Sequence, residues 1–147
     1  MHKNLVYLVQ TDTTVGFSSL NDEKLSLIKQ RNTSQKILQT VDSFDTLKQM
    51  TRVPLTFRKK IRNSKKTTFI YPNKNSFRVI PKDDNFYPFI SKFNNLYSTS
   101  ANLTSESFDI DFASKNSDVI VYTKEDFSEK SASNIFILSK NKMNKIR

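Results

Sequence analysis

The chain has no cysteine, no tryptophan, one histidine and one glycine among its 147 residues. Without cysteine it can form neither a disulfide nor a thiolate metal site. Because His2 supplies its only imidazole, a histidine-based metal site or a serine–histidine triad is not expected. We therefore expect no metal ligated by the protein itself, so that any divalent ion would arrive bound to a phosphate ligand.

Long apolar runs are also missing. The first apolar stretch, residues 5–9, is too short for a signal peptide or a membrane span, which predicts a cytoplasmic protein without membrane contact. The length predicts one domain over residues 1–147. Although only 36% of the residues are hydrophobic, 12 phenylalanines and 5 tyrosines supply large apolar surfaces for a core.

Negative charge is scarce relative to positive charge. The chain has 24 lysines and arginines against 14 acidic residues, a net charge of +10. This balance favours contact with phosphates of a nucleotide, an RNA or both, although a solvated basic surface explains it equally well. A candidate patch for tRNA or other double-stranded RNA, where phosphate contacts dominate affinity, lies in the densest basic run. Its members are Arg58, Lys59, Lys60, Arg62, Lys65 and Lys66.

Strand-like and helix-like patterns alternate along the chain. Strands are predicted at residues 5–9, 67–71, 76–80, 95–97, 118–122, 134–138 and 143–147. Helices are predicted to begin near residues 21, 43, 54 and 84, with a short helix over 110–115 and the first helix ending near Arg31. This interleaving indicates an α/β fold with a mixed sheet.

Three short polar segments punctuate these elements. Residues 11–14, followed by Gly16, come after the first strand; Lys29 and Arg31 end the first predicted helix; residues 98–102, Ser-Thr-Ser-Ala-Asn, form a predicted turn. Each has an ordinary explanation: a capping turn, surface cations that compensate a helix dipole, and a polar loop. Arg78, between two apolar residues, fits a strand residue that points outward.

In this order, the three segments resemble those of the YrdC-like family, the L-threonylcarbamoyladenylate synthases of tRNA modification. Residues 77–79, Phe-Arg-Val, are similar to the family's Val-Arg-Val strand, and residues 132–135, Ala-Ser-Asn-Ile, to its Pro-Ser-Thr-Ile segment. The resemblance implies a YrdC-like α/β fold, in which a twisted sheet of parallel and antiparallel strands is flanked by helices.

The resemblance also implies an activity. The family makes threonylcarbamoyl-AMP and pyrophosphate from ATP, L-threonine and bicarbonate, with Mg²⁺ bound to the phosphates. The product serves tRNA, through a tRNA threonylcarbamoyl-transferase complex. By position in the motifs, the catalytic residues here would be Lys29, Arg31, Ser100 and Asn102. These four, with Ser98 and Ser133, would bind the nucleotide, while Thr13 and Arg78 would bind threonine.

The sequence departs from the family mainly in residues that shape loops. Gln10 and Asn32 replace prolines, Val15 replaces an aromatic residue, and residues 63–66 replace Trp-Pro-Gly-Pro. Three readings therefore stay open. The protein is a trimmed synthase, a non-catalytic YrdC-like module that binds nucleotide or double-stranded RNA or tRNA, or a scaffold whose basic surface docks on an acidic partner.

Overall fold

The computed structural model describes residues 4–103 and 106–147, so that His2 lies outside the described residues. The described part of the chain forms one nine-stranded sheet in the order β7-β1-β2-β6-β3-β5-β4-β8-β9. The strands are β1 Tyr7–Gln10, β2 Val15–Ser19, β3 Gln39–Val41, β4 Thr67–Ile70, β5 Ser76–Val79, β6 Asn95–Ser100, β7 Val119–Ile120, β8 Asn134–Leu138 and β9 Met143–Lys145. The helices are α1 Asp22–Ile28, α2 Phe44–Met50, α3 Arg58–Arg62, α4 Tyr87–Ile90 and α5 Ile110–Lys115, with a 3₁₀ turn over Leu55–Phe57.

The sheet mixes both strand orientations. β1 and β7, β3 and β5, and β4 and β8 pair in parallel, and the remaining neighbours pair antiparallel. Alternate side chains of the strands enter apolar clusters with the helices. For example, Phe69 and Phe77 pack with Leu47 of α2 and Ile61 of α3. The predicted α/β fold with a mixed sheet and flanking helices is therefore confirmed.

The prediction of a turn at residues 98–102 is wrong in its first half. Ser98, Thr99 and Ser100 extend β6 and pair with β2, a strand that the sequence analysis did not predict. Their partners are Ser18, Phe17 and Gly16. These small polar residues carry no strand pattern of their own, and they form a strand because the neighbouring backbone pairs with them.

The first helix ends earlier than predicted, at Ile28 rather than near Arg31. The next residues form a Schellman motif, in which the amide of Gln30 donates to the carbonyl of Leu27 and the amide of Arg31 to that of Ser26. Gln30 adopts a left-handed conformation with φ of 56°. The chain therefore reverses between Lys29 and Arg31 and sends their side chains to different places.

None of the helices in residues 4–103 and 106–147 combines the length and the apolar character that crossing a membrane requires.

Candidate functional site

A cavity of about 390 Å³ opens where the loop after β1, the segment after α1 and the polar ends of several strands meet. It gathers residues that are far apart in sequence. Six of the eight residues predicted to bind nucleotide or threonine line it: Thr13, Arg31, Arg78, Ser98, Ser100 and Ser133. The other two, Lys29 and Asn102, contact each other and Ser100 beside it.

Lys29 serves the cavity indirectly. It is only 2% exposed and is not among the described residues that line the cavity. Its Nζ donates to the carbonyl oxygen of Ser100 at 3.0 Å, to Ser100 Oγ at 3.2 Å and to Asn102 Oδ1 at 3.0 Å, and it also contacts the Asn102 carbonyl oxygen. Lys29 thus ties the end of α1 to the segment that follows β6.

Lys29 binds its proton less tightly than an exposed lysine does. Burial, with a smaller contribution from the positive charge of Arg31, lowers the pKa of Lys29 to about 8. Arg31, in contrast, is half-buried and lines the cavity. The reversal of the chain after α1 therefore gives the two cations different positions: Lys29 holds the segment after β6 in place, and Arg31 faces the cavity.

Arg78 is a buried residue and does not point outward from its strand. Its side chain is 5% exposed, and its Nε lies 2.9 Å from Asp12 Oδ2 and 3.1 Å from Asp12 Oδ1. Its terminal nitrogens donate to Thr68 Oγ1 at 3.3 Å and to Thr13 Oγ1 at 3.5 Å. Burial raises the pKa of the Asp12 carboxyl above its usual value, and the charge of Arg78 opposes that shift.

Arg147 is a cavity residue that the sequence analysis missed. Its Nε donates to the carbonyl oxygen of Ser133 at 2.9 Å, and its Nη2 to Ser133 Oγ at 3.2 Å. Ser133 Oγ in turn lies 2.9 Å from Thr68 Oγ1, the hydroxyl that accepts from Arg78. The sequence carries no signal for this role, because Arg147 stands apart from the motif that contains Ser133.

The chemistry of the cavity is that of an anion site. Arg31, Arg78 and Arg147 line it together with threonine and serine hydroxyls, and the carboxylate of Asp12 lies beside it. A guanidinium group can donate two parallel hydrogen bonds to two oxygens of one phosphate or carboxylate, and a hydroxyl group can rotate to donate another. Within the described ranges, no cluster of three or more His, Asp or Glu side chains could hold a metal ion. A divalent ion would therefore need ligand phosphates for most of its coordination.

The six residues of the predicted RNA patch have different neighbours. Lys60 and Arg62 lie over phenylalanine rings, 4.7 and 4.9 Å from the centroids, and Lys65 pairs with Asp83 at 3.3 Å. Arg58 donates through Nε to a backbone carbonyl and lines a separate cavity of about 680 Å³. Within α3, Arg58 and Arg62 are one turn apart and share a side of the helix, Lys59 and Lys60 point in other directions, and Ile61 is buried.

No protein-family model and no curated protein matches the chain. Among solved structures, P. abyssi Sua5 complexed with L-threonine is similar with a TM-score of 0.76 at 12% identity, over 97% of this chain and 50% of that chain. E. coli YciO is similar with a TM-score of 0.73 at 16% identity, over 97% and 82%. HypF in its phosphate- and nucleotide-bound form is similar with a TM-score of 0.71 at 14% identity, over 97% and 26%.

The likeness extends over almost the whole of this chain, which spans about half the length of Sua5. The α/β fold with a mixed sheet and flanking helices matches that of these solved structures. This chain has the YrdC-like fold of Sua5 and YciO, as the motif resemblance predicted.

Proposed function

We propose that the protein is an L-threonylcarbamoyladenylate synthase, which makes threonylcarbamoyl-AMP and pyrophosphate from ATP, L-threonine and bicarbonate. One observation carries the proposal. Lys29 meets Ser100 and Asn102, more than seventy positions away, beside a cavity that Arg31 and Ser100 share. A fold that only needed stability would have no reason to gather cations around an open polar space.

The nucleotide would lie along the cationic side of the cavity. Arg31 and Arg147 would bind phosphate oxygens, and the hydroxyls of Ser98, Ser100 and Ser133 would contact the nucleotide. Mg²⁺ would be held by the phosphates, because the described carboxylates offer it no cluster. Lys29 would act by keeping the segment from Ser100 to Asn102 in place.

L-Threonine would lie against Thr13 and Arg78. This part of the proposal is supported by Sua5, a similar structure that is complexed with L-threonine. The threonine amine would attack bicarbonate, and loss of water would leave a carbamate. A carbamate oxygen would then attack the α-phosphorus of ATP, forming the mixed anhydride as pyrophosphate leaves. The fixed guanidiniums would stabilise the charge that develops on the leaving pyrophosphate.

The test is pyrophosphate release by the purified protein with ATP, Mg²⁺ and bicarbonate, with and without L-threonine. We expect release that depends on threonine and that both Lys29→Ala and Arg31→Ala abolish. Arg52→Ala is the matched control, because Arg52 is exposed and lines the separate cavity. Full activity in both Lys29→Ala and Arg31→Ala, or no release by the folded wild type, would contradict the proposal.

A second candidate is a binding-only YrdC-like module for nucleotide or for double-stranded RNA or tRNA. It is favoured by the fact that oxygens of Ser100 and Asn102 already surround the Lys29 ammonium, so that Lys29 is not free to bind a phosphate and only the cations that line the cavity, Arg31 and Arg147 among them, face a ligand there. Such a module would bind ATP or tRNA without threonine-dependent turnover. Its RNA affinity would fall steeply with salt.

The synthase would act in the cytoplasm and would hand its labile product to a tRNA threonylcarbamoyl-transferase complex. Co-purification of such a complex with a wild-type protein that does not bind ATP would favour the third reading, a scaffold. If the wild type turns over and Arg31→Ala loses turnover but keeps the complex, the protein is a synthase whose catalysis and assembly depend on different residues.

A further inference from the structure

Asp12 has no part in the reaction as proposed above, yet it is the most deeply buried carboxylate at the cavity. Its side chain is 0% exposed, and the atom it faces is Nε of Arg78. We propose that Asp12 is a positioning residue, which orients the guanidinium of Arg78 as a two-point fork for the carboxylate of the amino-acid substrate. This inference rests on the proposed function and adds the residue that sets its substrate recognition.

The hydrogen bonds of Arg78 leave the right number of donors. A guanidinium carries five N–H groups in one plane. Asp12 accepts from Nε, Thr68 accepts one N–H at 3.3 Å and Thr13 accepts one at 3.5 Å. Each terminal nitrogen therefore keeps one N–H without a partner among residues 4–103 and 106–147. Two N–H groups on adjacent nitrogens match the two oxygens of a carboxylate.

Asp12 is the contact that fixes this fork. The threonine hydroxyls are at the long end of hydrogen-bond distance, at 3.3 and 3.5 Å, whereas the fully buried carboxylate lies 2.9 Å from Nε and carries the opposite charge. A guanidinium buried without a counter-charge would turn towards water or towards any other acceptor. Losing Asp12 would therefore leave the charge of Arg78 in the cavity but remove its orientation.

Charge and orientation predict opposite effects for the two substrates. Asp12→Asn removes one negative charge beside a cavity that Arg31, Arg78 and Arg147 line, so that affinity for the phosphates of ATP should stay the same or increase. Recognition of the threonine carboxylate, which depends on the direction of the fork, should weaken. General damage to the fold would weaken both.

The experiment compares the wild type with Asp12→Asn in the pyrophosphate-release assay. We expect the KM for L-threonine to rise about tenfold or more, because a hydrogen bond between charged groups is weakened. The KM for ATP should stay the same or fall. Asp83→Asn is the matched control, since it removes one negative charge from an exposed ion pair with Lys65. It should change neither constant. An unchanged KM for L-threonine in Asp12→Asn, or an equal rise for both substrates, would overturn the inference.

A double-mutant comparison tests whether Asp12 acts through Arg78. Titration with L-threonine should give the same affinity for Arg78→Gln and for the double variant Asp12→Asn, Arg78→Gln, and a further loss in the double variant would overturn the inference. In Arg78→Gln the buried Asp12 carboxyl can take up a proton and become neutral, since burial already raises its pKa. The double variant removes both buried charges, so the comparison does not depend on the folding of Asp12→Asn alone.

The same titration separates the two proposals. A wild type that binds L-threonine but releases no pyrophosphate contradicts the synthase function and leaves the comparison at Asp12 in force. A wild type that turns over, with Asp12→Asn equal to it, contradicts the role of Asp12 alone. A wild type that binds no L-threonine overturns both.

Discussion

Replacement of Gly16, the only glycine of the chain, should loosen the wall of the cavity. Gly16 lies in β2 opposite Ser100 of β6. A Cβ added to it would lie 2.6 Å from the backbone oxygen of Thr99 and 3.4 Å from Cγ2 of Thr11. The glycine is needed for this close approach and not for its backbone angles, because its φ is not positive. Since the atom in the way belongs to the backbone, Gly16→Ala must push β2 and β6 apart.

The cost follows from the kind of clash. Overpacking a well-packed interior by one methyl group costs about 1–3 kcal/mol. For a protein of this size, each kcal/mol lowers the melting temperature by about 2–4 °C, so we expect Gly16→Ala to melt roughly 2–12 °C below the wild type. Because the displaced strand ends at Ser100, the contact between Lys29 and Ser100 should weaken as well.

The assay is thermal unfolding followed by circular dichroism, with Ser18→Ala as the matched control on the same strand. Ser18 is fully buried, and its Oγ has no hydrogen-bond partner in the described part of the chain. Removing that hydroxyl should leave stability unchanged or raise it. A Gly16→Ala variant as stable as the wild type, or a Ser18→Ala variant that loses as much as Gly16→Ala, would refute the reasoning.

Two further predictions concern the end of α1. Because burial lowers the pKa of Lys29 to about 8, ATP binding by the wild type should fall as pH rises through 8. Lys29→Arg, whose side chain keeps its charge, should bind ATP equally on both sides of that pH. The same pH dependence of ATP binding in both proteins would contradict this. Between pH 8 and the usual pKa of 10.5, Lys29 binds more protons in the unfolded chain than in the folded chain. The contribution of Lys29 to the free energy of unfolding therefore increases as pH rises through this range. Unfolding at Lys29 cannot explain a loss of ATP binding there. Gln30→Gly should raise stability by about 1 kcal/mol, because Gln30 has a φ of 56° that glycine adopts without strain; a lower melting temperature would count against it.

Local patterns predicted the elements that have a strong signal of their own. β8 and α5 were predicted with the bounds that the structure gives them, and α2 begins beside residue 43 as predicted, with Ser43 accepting from the amide of Thr46. β2 and β3 were missed for a physical reason. Gln39–Val41 is only three residues long, and Val15–Ser19 mixes one glycine with serines, so that both depend on pairing with β6.

The candidate site was predictable only as a set of residues. Motif order made Lys29, Arg78 and Ser133 candidates, but no local pattern could tell that Lys29 turns towards the segment after β6 or that Arg78 is buried against Asp12. These contacts join residues 71 and 66 positions apart and arise because the sheet pairs strands that are distant in sequence. The role of Arg147 likewise depends on the pairing of β8 with β9.

The most direct test of the account is an NMR titration of the ¹⁵N-labelled protein with MgATP and then with L-threonine. The account predicts that ATP shifts the amide resonances of Ser100 and Ser133 and that L-threonine then shifts that of Thr13, all of which line the one cavity. Shifts confined to the basic run from Arg58 to Lys66, or the same ATP shifts in Arg31→Ala as in the wild type, would contradict it.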